Sequence, residues 1–391
     1  MDADALDLAE QAAASVDVLD AERCLPQELA LAAADVGLFR QLVPKDVGGA
    51  GAAPIDWFRR GVAMARREPS FAWVVTQGAA DLAWIAVGGA PRWSAEVLAD
   101  PLASSASTVA GVGVLRLDPD DAGPGEQTGT VDGAWGFDTG STSATWIGGM
   151  VMVERPDSDP RRRTDGVPEL RIAWVPAARA TILDDWDSTG LRGTGSHGIS
   201  IVGQRVPWSW TVAWHEPTSN DRGPHRVLVG NGNWPIASSV AAVQLGTARA
   251  ALDEVRSIVV DKAPAPSFAP LIRNAAIQRR LVELEGAWLG ALAAVERELE
   301  SMWEEALADG RLSTGQRVRL ATANAAANRV AVQIGDGSGE IAGTEVAKRT
   351  SRLSRCLRDV HTLRGHVSTN GSVLERIALA DVGLLDADML V

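Results

Sequence analysis

The residue types best suited to chemistry occur near the end of the sequence, in the segment RDVHTLRGH at positions 358–366. This segment holds His361 and His366, two of the five histidines, beside the pair Arg358 and Asp359. Because an imidazole titrates close to neutral pH, either histidine could move a proton during a reaction. Histidines five positions apart do not share one face of a helix, so their spacing does not indicate a metal site.

A glycine-rich segment, GTGSHG at positions 193–198, matches the pattern GxGxxG. A dinucleotide-binding loop with that pattern follows a strand and opens a helix. Here an alternating, strand-like segment follows, so the sequence does not support a nicotinamide-binding fold. Two interpretations stay open: a tight glycine turn, or a loop whose N–H groups and Ser196 hydroxyl meet a ligand. The role of His197 is undecided.

The segment WGFDTG at positions 135–140 also allows two interpretations. It is typical of a well-packed β-turn, but Thr139 could also present its hydroxyl and N–H groups to a planar ring. The glycine cluster at positions 335–339 predicts a break in a helix. His215 and His225 lie in a polar loop and are expected to be solvated.

Several common chemistries have no support in the sequence. There is no GxSxG motif for a serine hydrolase, and no HxxxH or CxxC spacing for a metal ion. The net charge of −13 argues against nucleic-acid binding, because phosphate recognition needs a basic surface. We therefore expect neither a metal site nor a nucleic-acid partner.

Composition also bears on domain number and location. A chain of 391 residues predicts two or three domains. Only two cysteines occur, and the acidic start lacks a signal pattern, so a cytoplasmic protein is expected. No apolar run reaches the roughly 18 residues of a membrane span, so no membrane association is expected. The fourteen tryptophans, with no tyrosine, suggest in part aromatic pocket walls.

Hydrophobic periodicity divides the chain into three regions. The first reads as helices, including 27–36, a helix from Ile55 and a buried helix at 71–87. The second has a two-residue period, with strands at 146–153, 170–175 and 199–206.

A hairpin turn is predicted at Asp132-Gly133, within the second region. Positions 214–230 are predicted as a connecting loop and candidate mobile lid, and the remainder is helical. The predicted domains are 1–102 (helical), 103–213 (β) and 214–391 (helical bundle).

This order of helices, β region and bundle resembles the acyl-CoA dehydrogenase fold. The segments that carry the resemblance follow one another along nearly the whole chain: LPQELALAAADVGLFRQLVPKDVGGAG, AWGFDTGSTSATW, DWDSTGLRGTGSHGISIVGQRVP and SRCLRDVHTLRGH. The resemblance implies an α+β fold with an N-terminal helical domain, a middle β-barrel or sandwich domain and a C-terminal four-helix bundle.

Within that superfamily, the position of a glutamate base separates two chemistries. Acyl-CoA dehydrogenases commonly carry it in a Tyr-Glu-Gly motif eight residues after the final Arg-Asp, and here that position is Val367. The alternative glutamate early in the bundle is also missing, because positions 226–252 contain no Asp or Glu. The adjacent His366 and the segment WGFDTG instead resemble the two-component flavin-dependent monooxygenases that share this fold.

That resemblance implies a reaction. Reduced flavin, either FMNH2 or FADH2, would arrive from a separate NAD(P)H flavin reductase and react with O2 to form a C4a-hydroperoxide. This species would oxygenate a small aromatic or heteroatom-bearing substrate. Thr139 would hydrogen-bond flavin N5, and His366 would act as a base or orient the hydroperoxide. The other implied flavin contacts are Phe137, Gly140, Ser105, Ser107, Arg358 and Asp359.

The resemblance also implies where the substrate lies. Some of these monooxygenases have a further histidine near positions 70–81, where this chain has none. Gln77 or Asp81 would take its place, with Ser196 and His197 also assigned to the substrate pocket. The family expectation for assembly is a homotetramer.

Two alternatives remain. One is the desaturation of an acyl thioester, against which the missing glutamate argues. The other is a non-redox relative that keeps only the fold, against which the joint presence of Thr139 and His366 argues. On this view His361 is structural.

Overall fold

The computed structural model describes residues 2–119, 126–163, 165–214, 220, 222–230, 234–265 and 267–385. Within these ranges the chain forms helices, then a sheet, then helices again. The helices are α1 (Asp2–Ala14), α2 (Val16–Glu22), α3 (Gln27–Asp35), α4 (Pro54–Ala65), α5 (Pro69–Gly88), α6 (Pro91–Ala99), α7 (Trp234–Asp261), α8 (Ala275–Asp309), α9 (Thr314–Ala342), α10 (Arg352–Leu363) and α11 (Gly371–Asp381). The strands are β1 (Ser105–Leu117), β2 (Thr128–Trp135), β3 (Trp146–Glu154), β4 (Leu170–Pro176), β5 (Thr181–Ile182), β6 (Ile199–Pro207) and β7 (Thr211–Ala213).

Several helices begin where the sequence supplies a start signal. Pro54, Pro69 and Pro91 open α4, α5 and α6, where a missing N–H is tolerated. The side chain of Ser351 caps α10 by accepting a hydrogen bond from the Ser354 N–H. The three helices predicted before residue 102 are present as α3, α4 and α5, with small shifts at their ends.

Helix α5 lies at the centre of the fold, between α4, α7 and strand β1. All of its residues from Pro69 to Val87 are buried. Its length and composition would allow a membrane span, so the expectation that no segment reaches this threshold is wrong. However, 94% of its most apolar window is buried inside the protein. A helix that contacts protein on every face needs the same apolar composition.

The strands form one seven-stranded sheet in the order β5-β6-β2-β1-β3-β4-β7. Neighbouring strands are antiparallel except for β1 and β3, which run parallel. The three predicted strands correspond to β3, β4 and β6. This sheet fixes the position of Ser107 in β1 and of the segment that follows Trp135 at the end of β2.

The hairpin predicted at Asp132-Gly133 is wrong, because β2 continues through both residues. A carboxylate oxygen of Asp132 accepts a hydrogen bond from the Gly203 N–H of β6 at 2.7 Å. A Cβ at Gly133 would lie 2.6 Å from the Trp135 ring. Asp132 therefore links β2 to β6, and the missing side chain of Gly133 leaves space for the Trp135 indole. Both contacts involve the surrounding fold, so a local Asp-Gly turn signal does not reveal them.

In the C-terminal region, α7, α8, α9 and α10 pack against one another as a bundle. The helix break predicted at positions 335–339 is wrong, because α9 is continuous through them. A Cβ at Gly335 would lie 3.0 Å from Val360, and one at Gly339 would lie 2.9 Å from Leu357, both on α10. These glycines allow α9 and α10 to approach closely.

Part of the predicted loop at 214–230 forms regular structure. Residues Gly223–Leu228 form a 3-10 helix whose Val227 and Leu228 are buried, so this part does not form an exposed lid. His225 is not simply solvated, since its ring packs edge-on against Trp303 and burial lowers its pKa. His215 lies outside the described residues.

The secondary structure changes from helix to strand between Ala99 and Ser105, and helices resume at Trp234. The first change lies at the predicted boundary between 1–102 and 103–213, whereas α7 begins 20 residues after the predicted start of 214–391. The division into three domains stays a prediction.

Candidate active site

A cavity of about 820 Å³ opens where α5, the sheet and the end of α10 meet. Its walls are largely aromatic and hydroxyl-bearing. The lining includes Trp73, Gln77, Asp81, Trp84, Ser107, Phe137, Thr139, Trp186, Thr194, Ser196, Trp214 and His366. A volume of this size is typical of pockets that hold a cofactor or a small ligand.

One face of α5 forms a wall of the cavity. Trp73, Gln77, Asp81 and Trp84 follow one another by four, four and three positions, which places them on one side of a helix. The Asp81 carboxylate accepts hydrogen bonds from the Ser107 hydroxyl at 2.8 Å and from its N–H at 2.9 Å. Burial raises the pKa of Asp81 to about 7, despite these bonds.

A chain of hydroxyl groups crosses the sheet side of the cavity. Thr194 donates to the Leu191 carbonyl at 2.9 Å, and its Oγ1 lies 2.8 Å from Ser196 Oγ. Ser196 Oγ lies 2.9 Å from Thr139 Oγ1, which accepts a hydrogen bond from Trp73 Nε1 at 3.0 Å. Since each hydroxyl has one hydrogen, Ser196 donates to Thr194 and Thr139 donates to Ser196. The free lone pair of Thr139 is therefore an acceptor.

Phe137 is placed in the cavity by an unusual backbone conformation. Its φ is +58°, in the left-handed region that a bulky residue rarely adopts. The side chain is 67% exposed, and its ring meets Trp186 edge-on at 6.1 Å. Strained backbone of this kind is retained where it serves a site, and here it presents an aromatic face to the cavity.

His366 lies in the turn after α10 and faces the same cavity. Its Nδ1 accepts a hydrogen bond from the Ser368 N–H at 3.2 Å, so the neutral ring carries its proton on Nε2. Its ring meets Trp73 edge-on at 5.3 Å. Desolvation by the surrounding protein lowers the pKa of His366 to about 4. At neutral pH this side chain is a hydrogen-bond donor and a weak base.

Arg358 and Asp359 lie behind the cavity and are not among its lining residues. They are not a pair: Arg358 donates to Ser354 Oγ, and Asp359 lies 3.9 Å from the Arg355 guanidinium. Asp359 accepts a hydrogen bond from the Leu191 N–H at 2.7 Å and so ties α10 to a cavity wall. Burial raises the pKa of Asp359 to about 7, although Arg355 opposes the shift.

Three other predicted residues also lie outside the cavity lining. Ser105 is buried and accepts a hydrogen bond from Trp174 Nε1 at 3.1 Å. The N–H of Gly140 donates to the Thr194 carbonyl at 3.0 Å. His197 is buried, and its Nδ1 accepts from the Trp186 N–H at 3.2 Å. All three lie next to residues of the cavity wall, and their predicted roles toward a ligand stay predictions.

His361, by contrast, points away from the site. Its Nε2 lies 2.8 Å from an Asp336 carboxylate oxygen on α9, at an exposed position. Of the two histidines in the RDVHTLRGH segment, His366 lines the cavity and His361 does not.

Sequence reasoning did not identify Trp73 or Asp138. Trp73 contacts both Thr139 and His366, yet in the sequence it is only one apolar residue of a buried helix. Asp138 is fully buried, and neither of its carboxylate oxygens has a hydrogen-bond partner. Burial, with a further contribution from Asp81, raises the pKa of Asp138 well above its usual range. An aspartate between two exposed-looking turn residues gives no signal of this burial.

Comparison with known proteins agrees with the predicted fold. Residues 238–371 match the family model for the acyl-CoA dehydrogenase C-terminal domain. An indole-3-acetate monooxygenase of Acinetobacter baumannii is 24% identical over 356 residues, which cover 90% of this chain and 86% of the relative. An indole-3-acetate monooxygenase of Pseudomonas putida is 27% identical over 337 residues, covering 84% of this chain and 80% of the relative.

Among solved structures, XiaF from Streptomyces sp. in complex with FADH2 and glycerol superposes with a TM-score of 0.83. The two chains are 22% identical, and the match covers 98% of this chain and 96% of XiaF. The predicted fold is thus confirmed, and so is the predicted resemblance. Residues 238–371 therefore match an acyl-CoA dehydrogenase C-terminal domain, and the chain as a whole is similar in sequence to the two indole-3-acetate monooxygenases and in fold to XiaF.

Proposed function

We propose that this protein is a flavin-dependent monooxygenase that uses reduced flavin and O2 to oxygenate a small aromatic or heteroatom-bearing substrate. The observation that carries the proposal is the contact of Trp73 with both predicted catalytic residues. Its indole donates to Thr139 and packs against His366, so all three line one cavity. Thr139 and His366 are 227 positions apart in the sequence (366 − 139), and only the fold brings them together.

The residues of the cavity fit a flavin. Phe137 presents an exposed ring beside Trp186, which suits the face of a planar tricyclic ring system. Ser107 and Ser196 add hydroxyl groups to the same cavity. Thr139 offers an acceptor lone pair, which suits the N–H that a reduced flavin carries at N5. Flavin supplies the activation of O2 when it is bound.

The protein's own part is to exclude water and to place hydrogen bonds. Trp73, Trp84 and Trp214 make much of the wall apolar, and a dry site strengthens each polar contact inside it. The Nε2–H group of His366 is suited to donate to an oxygen atom at the centre of the cavity. Because its pKa is about 4, His366 is better suited to orienting a reactant than to removing a proton at neutral pH.

The alternative, desaturation of an acyl thioester, requires a glutamate base, and neither expected position supplies one: position 367 is valine, and positions 226–252 contain no Asp or Glu. Val367 lines the cavity, and its side chain cannot accept a proton. The curated relatives described above are monooxygenases, which also favours oxygenation.

The proposal includes a separate NAD(P)H flavin reductase, use of FMN or FAD, a cytoplasmic location and assembly as a homotetramer. Exposed apolar residues on one face of α8, Val282, Leu289 and Leu307, support assembly through the bundle. Light scattering should give four times the mass of the chain.

The decisive experiment mixes anaerobic protein and reduced flavin rapidly with buffer containing ¹⁸O2 and a panel of aromatic compounds. The expected result is slower flavin reoxidation than for free flavin, with one ¹⁸O atom in the product. Reoxidation at the free-flavin rate with no labelled product would refute oxygenation. In a separate anaerobic reaction with oxidised flavin and an acyl thioester, formation of an α,β-unsaturated product together with reduced flavin would establish the alternative.

A further inference from the structure

We call the part of the cavity around Gln77, Asp81, Trp84 and Trp214 its α5 end. This part is suited to a flat apolar ring. Trp84 and Trp214 lie 5.1 Å apart at a tilt of 53°. Ile236 from α7 lines the same cavity, as does His366. Paired indoles and an aliphatic side chain favour an aromatic ligand over a flexible or strongly hydrated one.

The polar groups that α5 contributes here, on Gln77 and Asp81, are acceptors. Both Asp81 oxygens are held by Ser107, yet each keeps a further lone pair. Ser239 donates to the Ile236 carbonyl, so its oxygen accepts from the Gln77 amide, and the Gln77 Oε1 atom is left as an acceptor. Gln77 and Asp81 are one helical turn apart, so both acceptors serve one ligand.

The cavity offers no positive charge to an anionic ligand. Its lining contains Asp81, Asp185 and Asp187, and neither Lys nor Arg. The stretches of chain outside the described residues contain no Lys or Arg either. His366 is neutral at physiological pH. A carboxylate bound here would lose water without gaining a cationic partner, beside a buried aspartate.

We propose that the α5 end of the cavity binds an uncharged aromatic substrate whose N–H or O–H donates to Asp81 and Gln77, and that it rejects aromatic carboxylates. This specificity would differ from that of the two curated relatives, which are named for indole-3-acetate. The inference rests on the proposed function only in taking this end of the cavity as the substrate site.

The test is calorimetric titration of the full-length protein under argon at pH 8, with saturating reduced FMN or FAD. This pH lies above the pKa of about 7 of Asp81, which is then charged. The three probes are indole, 1-methylindole and indole-3-acetate. Indole should bind at least about tenfold more tightly than either of the other probes, because 1-methylindole lacks the N–H donor and indole-3-acetate carries a carboxylate.

Variants assign the effect to these two residues. Asp81→Asn removes the charge. It should lower the ratio of the dissociation constant of indole-3-acetate to that of indole by at least about fivefold. Asp157→Asn makes the same charge change at an exposed position outside the cavity lining, and it should leave the ratio of the two dissociation constants unchanged. Gln77→Met should weaken the binding of indole, while the dissociation constant of 1-methylindole should stay within about twofold of its value for the parent protein.

Three results would overturn the proposal: no binding of indole, binding of indole-3-acetate at least as tight as that of indole, or equal binding of indole and 1-methylindole. An unchanged ratio in Asp81→Asn would remove Asp81 from the specificity. Since no turnover occurs under argon, failure of oxygenation in the ¹⁸O2 experiment would leave this binding preference standing, and the reverse also holds.

Discussion

The backbone N–H of Ser368 donates to Nδ1 of His366 at 3.2 Å, and this contact determines what the histidine can do. It holds the imidazole proton on Nε2, the nitrogen left to face a reactant. Donor and acceptor are only two positions apart in the sequence, so the tight turn after α10 itself selects the tautomer. Because the pKa of His366 is about 4, the ring stays neutral at physiological pH. It therefore keeps one N–H group, on Nε2, and acts as a hydrogen-bond donor.

Replacement of His366 should separate oxygen use from product formation. His366→Ala removes the Nε2–H donor and should lower the fraction of O2 that appears in product by about tenfold, the effect of one hydrogen bond worth ~1.4 kcal/mol. Flavin affinity should change by less than about twofold. His366→Gln, which keeps an amide N–H, should recover part of the coupling. The measurement is product and H2O2 formed per O2 consumed, and unchanged coupling in His366→Ala would remove this residue from the mechanism.

The hydroxyl of Thr139 should control how long the reactive flavin persists. Thr139→Ala removes the oxygen that accepts from Trp73 and donates to Ser196. We expect flavin reoxidation and H2O2 release to accelerate by about tenfold in this variant. Thr139→Ser keeps the hydroxyl, so its rates of flavin reoxidation and H2O2 release should stay within about threefold of those of the parent. If both variants behaved alike in rapid-mixing experiments, the methyl group rather than the hydroxyl would be the important part.

Element order was predictable because periodicity is a local property of the sequence. The strands now called β3, β4 and β6 and the apolar helix α5 follow from the spacing of apolar residues. The resemblance to a flavoprotein fold then drew attention to Thr139 and His366. Both residues line the cavity.

What could not be predicted depends on contacts between distant segments. Trp73 meets Thr139 across 66 positions, and Asp359 meets Leu191 across 168. The glycines at 335–339 looked like a helix break because a local pattern does not show that another helix packs on them. Burial decides such cases, and burial is a property of the whole fold.

Asp138 should make stability depend on pH. Its carboxyl group is fully buried without partners, and its pKa is raised well above the usual value. The folded protein therefore keeps a proton that the unfolded chain releases above about pH 4, so folding stability should fall as pH rises. Asp138→Asn stays uncharged at every pH.

Thermal unfolding at pH 5, 6, 7 and 8 tests this expectation. The difference in Tm between Asp138→Asn and the parent should become more positive as pH increases. Asp359, whose pKa is also raised, contributes to the pH dependence of both proteins and cancels in the difference. Asp157→Asn, at an exposed position, is the control and should give a constant difference. A constant difference for Asp138→Asn as well would contradict a buried neutral carboxyl group.

Gly190 sets the distance between α10 and the cavity wall. A Cβ at this position would lie 2.4 Å from the carbonyl carbon and oxygen of Arg358 and 2.6 Å from the Asp359 nitrogen. These are backbone atoms of a helix, which cannot rotate away. Gly190→Ala should therefore separate the loop from α10 and strain the hydrogen bond between Asp359 and Leu191.

We expect Gly190→Ala to lower the free energy of unfolding by about 1–3 kcal/mol and to weaken flavin binding, because the displaced loop forms one wall of the cavity. Gly371→Ala is the matched control: a Cβ there meets nothing within 4 Å, so it should be neutral or stabilising by about 0.4–1 kcal/mol. Denaturant unfolding and flavin fluorescence titration measure the two effects. If Gly190→Ala matched Gly371→Ala in both measurements, the close contact at Gly190 would not hold the site together.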